Sequence, residues 1–296
     1  VVRSGDLLLL VLICLTWAFS NVLSKVVVDA WAVPPLFYAA LRFAVVALVM
    51  LPWLWPIPRP AWRIILIALL MGGGNFALLF VGLQTASPSS AAIVLQLGAP
   101  FTILLSVLML GERVHWRRGT GIALILLGVL IVSWRPGSGS LSAGLWFVAA
   151  AAFSGSAGAV LMKQVENVTP LRFQAWVGFV SAIALGLCST LFETRQWSSA
   201  GAAGLPFLAA VLFTALVVSV AAHSAYYHLI QIYEANLLAP LTLMTPLATI
   251  ALGVLVTHDH FDARMALGAT LALSGVLIVA LRRKPATSLL VDLEVR

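Results

Sequence analysis

Apolar runs long enough to cross a lipid bilayer recur from Leu7 almost to Leu281 and leave little chain between them. A helix spans a hydrocarbon core of roughly 30 Å with about 20 predominantly apolar residues, so the membrane takes up most of this sequence. Water is not its main solvent: 62% of the 296 residues are hydrophobic and 9% are charged, against roughly 25% charged in an average soluble domain. The mean hydropathy of +1.07 agrees. The fold class is therefore an all-α integral membrane protein, with the lipid bilayer as its first partner.

Breaks at Pro, Gly and charge clusters predict ten transmembrane helices, near 6–26, 34–55, 62–84, 88–110, 116–134, 141–163, 170–192, 204–231, 236–256 and 262–281. Trp31, Trp53, Trp55, Trp62, Trp116, Trp134 and Trp197 fall near span ends, as an interfacial aromatic belt requires. A net charge of +7 in a soluble protein would point to nucleic acid, but here the basic residues sit in short clusters between apolar runs, where they set orientation. No nucleic-acid partner is expected. With a cytoplasmic N-terminus, the inside segments hold Arg3, Arg59, Arg63, Arg113, Arg117, Arg118, Lys163, Arg172, Arg282, Arg283, Lys284 and Arg296, 12 of the 17 lysines and arginines. Both termini are thus predicted cytoplasmic, in a multi-pass protein of the bacterial inner (plasma) membrane. The first apolar run lacks a small-residue cleavage site and is expected to stay as the first helix. Cys14 and Cys188 lie in separate apolar runs and read as packing residues, so no disulfide framework and no metal site is expected.

The clearest motif is internal. Gly121-Ile-Ala-Leu-Ile-Leu-Leu-Gly128 is followed by Val-Leu-Ile-Val, and Gly268-Ala-Thr-Leu-Ala-Leu-Ser-Gly275 is followed by the same four residues, at an offset of 147. Gln84 pairs with Gln231 at 147, and Pro100 with Pro246 and Arg118 with Arg264 at 146. Glycines, prolines and polar residues agreeing in register identify a repeat: residues 1–137 form a first five-helix unit, 138–284 a second, and 285–296 a C-terminal tail. An odd number of spans per unit makes the copies enter the membrane in opposite directions, the inverted symmetry of many secondary transporters.

With these residues in view, the chain resembles the EamA family of the drug/metabolite transporter superfamily over nearly all of residues 6–284. The resemblance is carried by Trp17-Ala-Phe-Ser-Asn21, Leu41-Arg42-Phe43, Gly98-Ala-Pro100, Leu110-Gly-Glu112 and the run from Gly121 to Gly128. Within that family the sequence looks like the aromatic amino-acid exporter branch. The resemblance implies an export carrier whose central cavity is lined mainly by helices 1, 3, 4, 6, 8 and 9, with helices 5 and 10 peripheral. One departure is that the second repeat reads Thr257-His258-Asp259-His260 where the first has Gly111-Glu112-Arg113, so the glutamate motif is not expected to be doubled.

Polar groups in hydrocarbon must face a bundle interior or a watery cavity. Trp17, Ser20, Asn21 and Ser24 form one face of helix 1 at helical spacing. Helix 3 offers Asn75, Phe76 and Phe80; helix 8 offers His223, Tyr226 and Tyr227, with Phe76 matching His223 and Phe80 matching Tyr227 at the 147 offset. Gln96, Ser154, Thr242 and Thr245 complete the candidate substrate-binding set, each against the competing reading of ordinary helix packing. Aromatic walls stack on planar solutes, and amides and hydroxyls bind amino or carboxylate groups without a fixed charge. Such a lining suits neutral or aromatic amino acids. Pro100 and Pro246 are candidate hinges. Arg42, the one permanent charge well within a span, has no counterpart in helix 7 and reads either as snorkelling to backbone carbonyls or as a carboxylate partner.

The expected activity is export of small metabolites by alternating access, with no enzymatic step and no cofactor. No carboxylate lies in the middle third of a proposed span, which favours facilitated export, with histidine-linked proton exchange as the alternative. Efflux of hydrophobic drugs or dyes is the competing transport reading. An integral membrane enzyme is the reading from another class, resting on His258-Asp259-His260 with Asp262 as a weak metal constellation.

Overall fold

The computed structural model describes residues 3–111, 116–135, 140–165, 168–233, 238 and 240–281. Its helices are α1 Ser4–Ala30, α2 Pro35–Val49, α3 Ala61–Leu83, α4 Pro88–Leu110, α5 Trp116–Ser133, α6 Ala143–Met162, α7 Pro170–Phe192, α8 Gln196–Tyr226, α9 Met244–Val256 and α10 Ala263–Ala280. Eight are long and apolar enough to cross a membrane, and α2 and α9 are shorter apolar helices. The 15 residues of α2 rise about 22 Å, and a 3₁₀ turn at Leu51–Leu54 continues it. A two-residue antiparallel pair, β1 Trp134–Arg135 with β2 Ser140–Leu141, joins α5 to α6.

Local chemistry fixes the helix starts. Pro35, Pro88 and Pro170 occupy first-turn positions where a missing N–H costs nothing, and Ser87, Thr169 and Asp262 cap their helices with side-chain oxygens. The helix expected to begin at 204 begins at Gln196, and residue 204 is a kink: Gly204 sits at φ 60°, ψ −143°, a conformation glycine tolerates, with Pro206 just beyond. Of the helix expected over 236–256, Met244–Val256 is described, while 234–237 and 239 lie outside the described residues.

Two acidic residues reach across to cap the starts of other helices. The Glu193 carboxylate, at the end of α7, accepts from the amides of Leu36 and Phe37 in α2, both at 2.8 Å. Asp259, after α9, accepts from the Ser89 amide at 2.9 Å and from the Ser89 hydroxyl at the start of α4. Carboxylates at helix N-termini satisfy orphan donors and oppose the positive end of the dipole. Asp259 stands 147 residues after Glu112, so an acid does stand at that offset. Glu112 and Arg113 themselves lie outside the described residues.

Three helices contain π segments. The last residues of α1, Val26–Ala30, are π-helical, as are Leu69–Gly74 within α3 and Phe213–Ala222 within α8. Shifted by 147, residues 69–74 fall on 216–221, inside the α8 segment. α4 is interrupted by a 3₁₀ turn at Leu95–Leu97, and α9 is preceded by a turn at 242–243. Pro100 and Pro246 are each the third residue after such a break, in the first turn of the helix that follows.

The packing partners form an ordered set. α1 packs on α9 and α4 on α6; α3 packs on α6 and α8 on α1; α2 packs on α7 and α5 on α10. Outward faces are apolar, with Leu48, Leu108, Leu191, Leu205 and Leu255 each 71–80% exposed, a surface that belongs in lipid. Between α5 and α10 the backbones nearly touch. A Cβ on Gly121 would stand 2.8 Å from the Gly275 carbonyl oxygen, and one on Gly268 would stand 2.7 Å from that of Gly128. Sequence order reverses from one contact to the other, so the two helices run antiparallel.

Substitution tests this seam. Gly128→Ala places a methyl 2.6 Å from the Ala272 amide nitrogen, an overpacking that costs about 1–3 kcal/mol. Its apparent melting temperature in detergent is expected to fall. Gly119→Ala, where nothing lies within 4 Å, is expected to leave the melting temperature unchanged or slightly raised.

Candidate functional site

A cavity of about 190 Å³ opens between α1, α2, α3 and α8, lined by Trp17, Ser20, Asn21, Ser24, Arg42, Phe76, Leu79, Phe80, Val218 and His223. The whole polar face of α1 enters it at positions i, i+3, i+4 and i+7, the spacing of one helix side. Phe76 and His223, matched at the 147 offset, both line it. The cavity draws on α2, which the family resemblance did not imply, and on none of α4, α6 or α9.

The π segments explain how α3 and α8 present these residues. A π turn bonds i→i+5 and accommodates one extra residue, which rotates everything downstream relative to a regular helix. The α3 segment ends at Gly74, directly before Asn75 and Phe76, and the α8 segment ends at Ala222, directly before His223. Carbonyls within and beside these segments take side-chain donors. Ser154 donates to Leu70 O at 2.8 Å, Ser181 to Ala68 O at 3.5 Å and Ser219 to Thr214 O at 3.0 Å. His223 Nδ1 lies 2.7 Å from Val218 O.

Several candidate residues are engaged by the scaffold instead. Asn75 donates to Ala151 O on α6 at 2.7 Å, Gln96 to Ala92 O of its own helix at 2.9 Å, and Ser154 to α3 as above. Asn21 donates to Thr249 Oγ1 at 3.4 Å, and Thr249 donates to Thr245 O at 2.9 Å, tying α1 to α9. Thr242 lies in the turn before α9. Trp17 meets His223 at a ring separation of 5.2 Å and Tyr226 at 5.1 Å, so Tyr226 supports the Trp17 wall and does not itself line the cavity. Trp17 Nε1 is buried with no hydrogen-bond partner among the described residues. The side chain of Tyr227 lies outside the described residues.

The contacts that hold Arg42 and the aromatic wall were not legible in the sequence. Arg42, 2% exposed, donates from Nε to Ser219 Oγ at 3.0 Å and lies over Phe76, 4.7 Å from its centroid. Phe76 meets Phe80 edge-on at 5.7 Å, and Phe80 stacks on Tyr38 at 5.2 Å and 14°. Tyr38 donates to Thr214 Oγ1 at 3.3 Å, and Gln174 of α7 donates to Ser219 O at 3.1 Å. An arginine with no counterpart in the other repeat gave no pattern to follow, and its partner is 177 residues away.

Two other features lack this combination. A cavity of about 220 Å³ beside α4, α5 and α6 is lined almost wholly by apolar side chains such as Leu97, Phe101, Leu130 and Trp146, which offer little to orient a polar solute. Asp259, central to the metal reading, spends Oδ2 on Ser89 and Oδ1 on Thr257 at 2.8 Å.

Known proteins resemble this chain over most of its length. A protein of Escherichia coli (strain K12) named "Probable amino-acid metabolite efflux pump" is 29% identical over 291 residues, covering 93% of this chain and 94% of its own. The protein of the same name from Salmonella typhimurium is 28% identical over 288 residues, again covering 93% and 94%. A solved structure superposes with a TM-score of 0.62 at 21% identity, covering 94% of this chain and 98% of its own, and supports the fold. The model of the EamA-like transporter family matches twice, over residues 4–134 and 141–281. With nearly its whole length matched, this multi-pass membrane chain belongs to the EamA-like transporter family.

Proposed function

We propose that this protein exports small metabolites, neutral and aromatic amino acids first among them, across the bacterial inner membrane by alternating access. The observation that carries the reading is the cavity, which gathers Trp17, Asn21, Phe76, Phe80 and His223 around one space inside an apolar bundle. Aromatic walls and neutral polar groups match a planar side chain on a small polar backbone. The names of the Escherichia coli and Salmonella relatives point the same way.

In this reading the architecture is ten transmembrane helices in two inverted five-helix repeats, 1–137 and 138–284, with both termini cytoplasmic and 285–296 as a tail. Exchanging α1–α5 with α6–α10 in order turns every packing pair described above into itself or into another pair of the set. The antiparallel glycine seam, the π segments at matched positions and the double family match support the same symmetry. A two-fold-related bundle has near-equivalent inward-open and outward-open forms. The breaks before Pro100 and Pro246 are the proposed hinges, because a half-helix that starts there rotates without disrupting a continuous ladder of hydrogen bonds.

Counterflow in proteoliposomes tests the function. Labelled phenylalanine is expected to accumulate transiently against trapped unlabelled phenylalanine, tryptophan, methionine or threonine, and a cationic dye is not. Dye uptake without amino-acid uptake would replace this reading with drug efflux. Trp17→Ala removes the contacts to His223 and Tyr226; at about 1–2 kcal/mol for a lost aromatic wall, the KM for phenylalanine is expected to rise roughly 5- to 30-fold.

The hinges are tested separately. Pro100→Ala and Pro246→Ala are expected to slow turnover severalfold while membrane insertion and substrate affinity stay near wild type. Unchanged transport kinetics in both variants would remove the hinge assignment.

A further inference from the structure

We propose that Arg42 is the counter-charge for a carboxylate on the transported solute, and that this carboxylate, not an ammonium group, is what the cavity requires. The inference rests on the export reading above and narrows its substrate class to apolar or aromatic monocarboxylates.

Arg42 is a permanent cation, because its guanidinium stays protonated at any relevant pH. Burying it within a membrane protein costs several kcal/mol unless something offsets the charge. Three offsets are visible. Nε donates to Ser219 Oγ at 3.0 Å, and the guanidinium carbon lies 4.7 Å from the Phe76 centroid and 5.9 Å from that of Phe43. All three are neutral groups. Among the described residues no carboxylate pairs with Arg42; the ion pairs are Lys25 with Asp29 and Arg264 with Asp262.

The remaining guanidinium donors take no protein acceptor among the described residues, and Arg42 is one of the side chains lining the cavity. Five donors in a rigid fork match a carboxylate through two parallel bonds. Phe76 beneath the guanidinium and Gln174 behind Ser219 fix that fork in place. The opposite charge is missing from the lining: no Asp or Glu is among its residues. An α-ammonium meets Asn21, Ser20, Ser24 and His223, none of them an anion, and Ser24 already donates to Ser20 O at 2.7 Å. The electrostatics therefore reward an anion strongly and a cation weakly. Removing the amino group of phenylalanine, or acylating it, leaves recognition largely intact, whereas neutralising its carboxylate does not.

The test uses the whole chain in proteoliposomes, with counterflow of labelled phenylalanine challenged by four analogues. N-acetylphenylalanine and 3-phenylpropionate are expected to compete within about tenfold of phenylalanine. Phenylalaninamide and phenylalanine methyl ester are expected to be roughly 30- to 100-fold weaker, the loss of a charge-assisted pair worth about 2–3 kcal/mol. Arg42→Gln is expected to raise the KM for phenylalanine and to abolish the preference for acid over amide, with Arg42→Lys keeping part of it. An amide that competes as well as phenylalanine at the wild-type protein would overturn the inference, as would an acid preference that survives Arg42→Gln. Failure of 3-phenylpropionate and N-acetylphenylalanine to compete would also overturn it, by making the ammonium essential. Absence of phenylalanine counterflow defeats the export reading instead; the same analogues, read as ligand-induced shifts in the melting of purified wild-type protein, then still decide between acid and amide.

Discussion

A backbone carbonyl left unpaired in hydrocarbon costs several kcal/mol, and this bundle answers that constraint where its helices are least regular. α3 and α8 loosen into π geometry at matched positions. Each then receives side chains that close the gap: Ser154 and Ser181 on α3, Ser219 and His223 within α8. Ser219 does more than repair its own helix. Its hydroxyl donates to Thr214 O and accepts from Arg42 Nε, so one oxygen couples the irregular backbone of α8 to the placement of the buried cation. Gln174 then holds the Ser219 carbonyl from α7. The π segment, the arginine and the α2–α7 packing form one connected polar cluster inside an apolar shell.

That coupling gives the irregularity a reason. A straight α8 would keep its carbonyls satisfied internally and would need neither Ser219 nor His223, but it would also turn His223 away from the space shared with Phe76. The irregular turn is what lets matched positions of the two halves face one cavity. It also leaves helical segments that need neighbours to complete their bonding, so rearranging those neighbours requires less than breaking a regular helix would.

The parts of the site legible in the sequence are those governed by an undisturbed helical period. The stripe Trp17, Ser20, Asn21 and Ser24 lies in regular α1 and faces the cavity as its spacing says. In α3 the same logic cannot separate adjacent Asn75 and Phe76, because the π segment ending at Gly74 resets the phase. The structure turns Phe76 into the cavity and Asn75 onto α6. Gln96 and Ser154 carry the right chemistry for a solute but spend it on carbonyls at 2.9 and 2.8 Å, a use that depends on neighbours absent from any local pattern. Gly204 illustrates the same limit at a boundary: a glycine before a proline marks a break, and sequence alone does not say whether helix lies on both sides of it. Glycines at backbone contacts and prolines at breaks stand out in the sequence because such positions tolerate few substitutes. Arg42 stands out as a charge within a span, but its partner Ser219 does not, since it lies 177 residues away on another helix.

That α7 carries no counterpart of Arg42 has a physical basis. The α7 residue in the cluster around Ser219 is Gln174, which is neutral. Were the charge of α2 repeated on α7, a second guanidinium would have to be buried in the same bundle, at a further desolvation cost of several kcal/mol. A solute carrying a single carboxylate neutralises one cation, not two. A pseudo-symmetric scaffold can therefore duplicate its glycines, its breaks and its aromatic walls, since these are neutral and cost the same in each half. A buried charge is tolerated once. In the alternating access proposed above, the cation travels with one half of the bundle, so release on either side requires that water or a counter-ion reach Arg42 as the solute leaves.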